Sequence, residues 1–121
     1  MSGRLNEELL DRFPNYGVRV MDLVEALETQ KRPRRIVDQI TGSGTSPGAQ
    51  MYEADEAVSR PDFLKSLGWA SKELNETRYW LQVIIKKQWI AIERIAPLLD
   101  ETEQLRKIIR AMIVRSKSSG P

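Results

Sequence analysis

The side chains able to do chemistry are few, because the chain contains neither cysteine nor histidine. That removes disulfides, thiolate or imidazole metal ligands, Cys nucleophiles and His general bases. Three kinds of candidate are left. The first is carboxylates, with Glu53, Glu73 and Glu76 spaced so that they could face inward on helices. Four-helix di-iron centres, however, use Glu-x-x-His pairs, and this chain cannot supply them. Glu73 and Glu76 read instead as partners for Ser, Thr, Tyr or Arg groups between helices, with no metal and no cofactor expected.

The second candidate is the glycine-dotted stretch TGSGTSPG, Thr41 to Gly48. Gly42, Gly44 and Gly48 superficially suggest a phosphate-binding loop. Such a loop follows a strand and continues into Gly-Lys-Ser/Thr, and neither is present. Helix packing through Gly42, Ser43, Gly44, Pro47 and Gly48 is the better reading.

The third is cationic. Lys31, Arg32, Arg34 and Arg35 lie in one short run, and Lys86 and Lys87 in another. If both runs meet at one end of a bundle, they form a surface suited to phosphates. The plain alternative is solvated helix ends, with Lys86 and Lys87 complementing a helix C-terminus. A net charge of only +2 favours that alternative. A later group, Arg106, Lys107, Arg110, Arg115 and Lys117, is expected at the opposite end, neutralised by Glu7, Glu8 and Asp11.

These residues must be positioned by helices. Across 121 residues, enough for one domain with a modest core, no segment alternates like a strand. Leu9, Phe13, Tyr16, Val20, Leu23 and Leu27 make one seam, with Pro14 either kinking it or leaving Leu5–Arg12 as a separate first turn. A third segment carries Phe63, Leu67, Ala70, Leu74, Thr77, Leu81 and Ile84. It opens on Ser59 as cap, Pro61 in the first turn and Asp62 at the positive end of the dipole. The fourth runs from Ala91 to Ser116 with Ile92, Ile95, Leu99, Thr102, Leu105, Ile109 and Met112 facing inward and Pro97 in its first two turns.

The second segment, Arg32 to Val58, poses a conflict. Ile36, Ile40, Ser43, Pro47, Gln50 or Met51, Ala54 and Ala57 keep helical spacing straight through TGSGTSPG. Three glycines and an interior proline cost about 6 kcal/mol in helix propensity, and so argue for a loop. Matched segment lengths argue for a continuous helix, since a break would leave stubs against long partners. Small residues on an inner face would let a neighbour approach closely, and Thr or Ser hydroxyls could serve the carbonyl that Pro47 frees.

The strings FPNYGVRVMDL, IVDQITGSGTSPGAQMYEADEA, RPDFLKSLGWASKELNETRYWLQV and APLLDETEQL, from about Phe13 to Ile113, resemble the bacterial 23S rRNA intervening-sequence protein family. SGTSPGA followed by EA, KE, ET and YWL is the most specific part; Pro14 departs from the commoner pattern. The resemblance implies a small all-α protein whose second helix runs through TGSGTSPG, kinked at Pro47, and which assembles as a ring-shaped homopentamer. Some genes of that family lie in insertions within 23S rRNA genes. A related branch serves diversity-generating retroelements, binding a reverse transcriptase and nucleic acid.

YWLQVII, residues 79–85, is apolar on more than one face. With Leu81 and Ile84 in the seam, Trp80, Val83 and Ile85 need other cover, and Trp69 and Trp89 add to the excess. A subunit interface would supply that cover. The alternative is the N-terminal segment around Leu5 and Leu9.

The expectation is therefore an all-α, up-and-down antiparallel four-helix bundle over residues 1–116 with a flexible tail at 117–121. It would be a non-enzymatic, cytoplasmic homo-oligomer acting as an adaptor for RNA, single-stranded DNA or a ribonucleoprotein. A protein-interaction scaffold that binds no nucleic acid is the alternative. No apolar run approaches the roughly 20 residues that cross a bilayer, and MSGRLNEELL has no secretory apolar core.

Overall fold

The structure, a computed structural model, describes residues 3–118. Four helices follow one another: α1 Glu7–Thr29, α2 Arg34–Asp55, α3 Arg60–Lys87 and α4 Ile92–Ser118. Short turns join them into an up-and-down antiparallel four-helix bundle, and the described residues contain no strand. None of these helices is long and apolar enough to cross a membrane.

Each helix starts where the chemistry allows. The Asn6 side chain accepts the Leu9 amide at 2.8 Å, capping α1, and Ser59 accepts the Asp62 amide at 3.2 Å, capping α3. Pro14 neither breaks α1 nor leaves a separate first turn: the helix is continuous from Glu7. Pro14 is exposed, so water can reach the carbonyl it leaves unpaired.

α2 runs unbroken through TGSGTSPG. Its inner face buries Val37, Ile40, Ser43, Gly44, Pro47, Met51 and Ala54. Burying Val37, Ile40 and Met51 at about 2 kcal/mol each returns about 6 kcal/mol, which offsets the propensity cost. Gly44 explains the glycine content best: a Cβ there would overlap the Val20 side chain of α1. A Cβ on Gly48 would lie 3.4 Å from the Phe13 Cβ. Gly42 plays no such part; it is exposed, with nothing within 4 Å of a Cβ. The expected hydroxyl bond to the carbonyl that Pro47 frees, that of Ser43, is not among the bonds of the described residues; the threonines serve other carbonyls. Thr41 donates to the Val37 carbonyl at 2.8 Å and Thr45 to the Thr41 carbonyl at 2.7 Å.

Apart from Ser66 in the second turn of α3, the described core is apolar except for one layer. Tyr16 of α1, Ser43 of α2, Thr77 of α3 and Thr102 of α4 are each at most 1% exposed. Thr102 gives its single proton to the Leu98 carbonyl at 2.8 Å, so the Tyr16 phenol donates to Thr102 Oγ1 at 2.6 Å. Thr77 Oγ1 lies 3.0 Å from Ser43 Oγ and 3.0 Å from the Glu73 carbonyl. Every helix thus contributes one hydroxyl at mid-height.

The helices are not equally close. α2 and α3 pack most intimately, α1 lies on α2 and α4 on α3, while α1 and α4 scarcely meet along their backbones. Arg12 bridges this seam, bonding Glu101 through Nε at 3.0 Å and Nη2 at 2.7 Å, and Gln104 at 3.0 Å.

Two expectations about α4 are corrected. Ile92 is 54% exposed, and Leu98 is buried, so the face turns slightly from the one read through Leu99. Ile92 lies in the first turn, at the solvent-washed end. The helix also continues through Lys117 and Ser118; residues 119–121 of the expected tail lie outside the described residues.

Candidate nucleic-acid interface

The α1–α2 and α3–α4 turns lie side by side at one pole because the bundle alternates direction. Left-handed residues make both turns. Lys31 and Gln88 each have φ of 58° without being glycine. A latch joins the turns: Gln30 Nε2 donates to the Trp89 carbonyl at 2.9 Å. Arg32 then donates to Gln30 Oε1 at 2.8 Å, and its guanidinium lies 4.7 Å from the Trp89 ring centroid. The two basic runs are brought together by these contacts.

The six cations are not equivalent. Arg34 is shared between Glu28 at 3.1 Å and Asp38 at 3.5 Å, and these bonds raise its pKa further above the ordinary guanidinium value. Arg32 is spent on Gln30 and Trp89. Lys31, Arg35, Lys86 and Lys87 are exposed, and no ion pair engages them among the described residues. At the same pole α2 starts without a side-chain cap or an acidic residue in its first turn, where Arg34 and Arg35 sit instead. Positive side chains at the positive end of a helix dipole are unfavourable until an anion joins them.

Four of the late basic residues of α4 do not pair as expected. No ion pair joins Arg106, Lys107, Arg110 or Lys117 to Glu7, Glu8 or Asp11 among the described residues. Arg106 bonds Glu103 on its own helix at 3.0 Å, and Glu103 also lies 3.7 Å from Arg78 of α3. The ion pair that does tie α1 to α4 has the opposite polarity, with the base, Arg12, on α1.

Of the aromatic candidates, Trp69 is 44% exposed with the Lys72 ammonium 5.0 Å from its ring. Trp80 and Val83 are half-buried, and Trp80 donates to Glu76 Oε2 at 3.3 Å. Ile85 and Trp89 pack against the core. The N-terminal segment does not cover the Trp80–Trp89 region. Leu5 is buried at the other pole, where its amide donates to Asp55 Oδ1 at 2.8 Å and Arg4 lies over Phe63.

The three carboxylates do not converge on one site. Glu53 is exposed, Glu76 serves Trp80 on its own helix, and partial burial followed by Glu76 raises the Glu73 pKa. No group of three or more acidic side chains is arranged for a metal among the described residues.

Sequence reasoning missed two features. One is the hydroxyl layer, visible in retrospect as a Tyr, Ser or Thr in each apolar seam. The other is a pair of clefts in the α1–α4 seam, about 500 Å³ and 180 Å³ in volume, for which periodicity carries no signal.

No curated protein matches the chain. A crystal structure from Bacteroides thetaiotaomicron, described as a protein with unknown function from the S23 ribosomal protein family, superposes with a TM-score of 0.83. The two share 33% identity over 87% of this chain and 97% of that one. The family profile described as 23S rRNA-intervening sequence protein matches residues 14–111, spanning all of α2 and α3 and most of α1 and α4. The chain therefore belongs to the 23S rRNA-intervening sequence protein family.

Proposed function

We propose that this protein is a non-enzymatic, cytoplasmic homo-oligomer that binds RNA or single-stranded DNA through its latched pole and so works as an adaptor in a ribonucleoprotein. The observation that carries the reading is the pairing of Lys31 and Arg35 with Lys86 and Lys87 at one end, all exposed and outside any described ion pair. Phosphate would also relieve the repulsion between the uncapped α2 N-terminus and its own arginines.

A ring would repeat this pole around an axis and strengthen its field. Five subunits is the stoichiometry that the family resemblance implies. Exposed Trp69 and Tyr79, with half-buried Trp80 and Val83, offer α3 as the face for self-association. A reverse transcriptase or another protein is the further partner implied by the related branch, and no membrane is involved.

The test is binding of a labelled single-stranded RNA across a salt series, with sedimentation of the same samples. Binding should weaken steeply with salt and be lost in a Lys31→Glu/Arg35→Glu/Lys86→Glu/Lys87→Glu variant that stays helical. RNA binding unchanged in that variant, or absent at low salt, refutes the nucleic-acid role. Sensitivity to Trp69→Ala alone would favour the scaffold alternative.

A further inference from the structure

Trp89 lies in the α3–α4 turn, two residues beyond Lys87, half-buried and packed against the core. The Arg32 guanidinium lies over its ring, 4.7 Å from the centroid, and Nε of that guanidinium donates to Gln30 Oε1 at 2.8 Å. The two Nη nitrogens of Arg32 make no described hydrogen bond, and neither does the Trp89 indole N–H. Lys31, Arg35, Lys86 and Lys87 occupy the same two turns, exposed and outside any described ion pair. The acids in the helix turns that flank them are Glu28, committed with Asp38 to Arg34, and Glu93. Four open cations thus face one open carboxylate around an aromatic ring.

We infer, resting on the nucleic-acid role proposed for this pole, that Trp89 is a stacking platform for an unpaired nucleobase, with Arg32 as the cover that the base displaces. A base stacked on an aromatic ring gains more than an exposed cation–π contact, so the exchange is favourable. The released guanidinium then has its donors free for a phosphate of the same strand. Lys31, Arg35, Lys86 and Lys87 hold the backbone by charge. The ligand is therefore a single strand. In a duplex the bases are stacked on one another, and the phosphates alone are offered to the pole. RNA and single-stranded DNA share the base and the phosphate that this chemistry recognises.

The probes are fluorescein-labelled oligo(U) and oligo(dT) of about 12 nucleotides, with an abasic strand and a DNA duplex of equal length as controls. Both base-bearing strands should bind at least about fivefold more tightly than either control. Trp89→Leu keeps an apolar side chain against the core. It should weaken oligo(U) by about tenfold, leave the salt slope unchanged and leave the abasic strand unaffected. Trp89→Phe, which retains a ring, should recover part of the loss. In wild-type protein the Trp89 indole N–H resonance should move with oligo(U) more than those of Trp69 and Trp80, a readout that needs no variant. Either order of the two base-bearing strands supports the platform and names the source, RNA if oligo(U) is tighter and DNA if oligo(dT) is. Abasic or duplex binding as tight as oligo(U), or a Trp89 indole resonance that stays in place, overturns the platform and leaves the phosphate role standing. So does an equal loss of oligo(U) and abasic binding in Trp89→Leu, the mark of a merely structural ring. Failure of every strand to bind at low salt refutes the nucleic-acid role itself, and the platform with it.

Discussion

The Tyr16 phenol and the Thr102 hydroxyl lie 2.6 Å apart across the open α1–α4 seam, both shut away from water. Burial, opposed by bonds to Thr102 and Thr77, pushes the phenol up to about 12. An unfolded tyrosine releases its proton near 10, so between those values the folded chain holds a proton that the unfolded chain has lost. Stability should therefore fall as pH rises from about 10 to about 12, by about 3 kcal/mol in all. Urea denaturation across that range should show the decline in wild type and a clearly shallower one in Tyr16→Phe. Parallel profiles would mean that Tyr16 is not the group responsible. At neutral pH the same substitution should cost about 1 kcal/mol.

Gly44 and Gly42 sit two residues apart and should respond oppositely to alanine. At Gly44 the new methyl group meets Val20, so Gly44→Ala should destabilise by about 1–3 kcal/mol. Gly42→Ala meets nothing and should stabilise by up to about 1 kcal/mol through helix propensity. Adding Val20→Ala to Gly44→Ala should return part of the loss, giving a favourable coupling in a double-mutant cycle. Equal effects at both glycines would contradict the close approach of α1 and α2.

Arg12 and Glu101 form a two-pronged pair only partly open to water. A double-mutant cycle with Arg12→Ala and Glu101→Ala should give about 1 kcal/mol of coupling, shrinking as salt is added. No measurable coupling at low salt would mean that this ion pair does not help hold the seam.

Within the basic pole, Arg34 should matter less than its neighbours because Glu28 and Asp38 already hold it. Lys86→Ala and Lys87→Ala should each flatten the log-affinity against log-salt plot by about 0.7 for single-stranded RNA. Arg34→Ala should change that slope little. The reverse ranking, read by fluorescence anisotropy, would move the binding surface away from Lys86 and Lys87.

Four helices were legible because their apolar spacings are long and regular, and Ser59, Pro61 and Asp62 marked the start of α3 without help from the fold. α2 was legible only through competing terms. Its local cost is written in the sequence, whereas the packing against Val20 and Phe13 that offsets it depends on which helix lies alongside. The gathering of Lys31–Arg35 with Lys86 and Lys87 followed from topology alone. Which of those cations are already neutralised did not, because Arg34 could have faced either solvent or Glu28. The expected pairing of Arg106, Lys107, Arg110 and Lys117 failed for the same reason: composition placed bases opposite acids, but the geometry of the seam selected Arg12 and Glu101.

The loose meeting of α1 and α4 also bears on how the molecule assembles itself from a free chain. Nearly every interhelical surface joins segments consecutive in sequence, α1 with α2, α2 with α3, α3 with α4. No long loop must be closed before such contacts form, so folding should be fast, in the microsecond-to-millisecond range typical of local topologies. The outer pair can also open without dismantling α2 and α3. Amide hydrogens of α1 and α4 should then exchange ahead of those in the central pair, although α2 carries the poorest helix-forming residues of all.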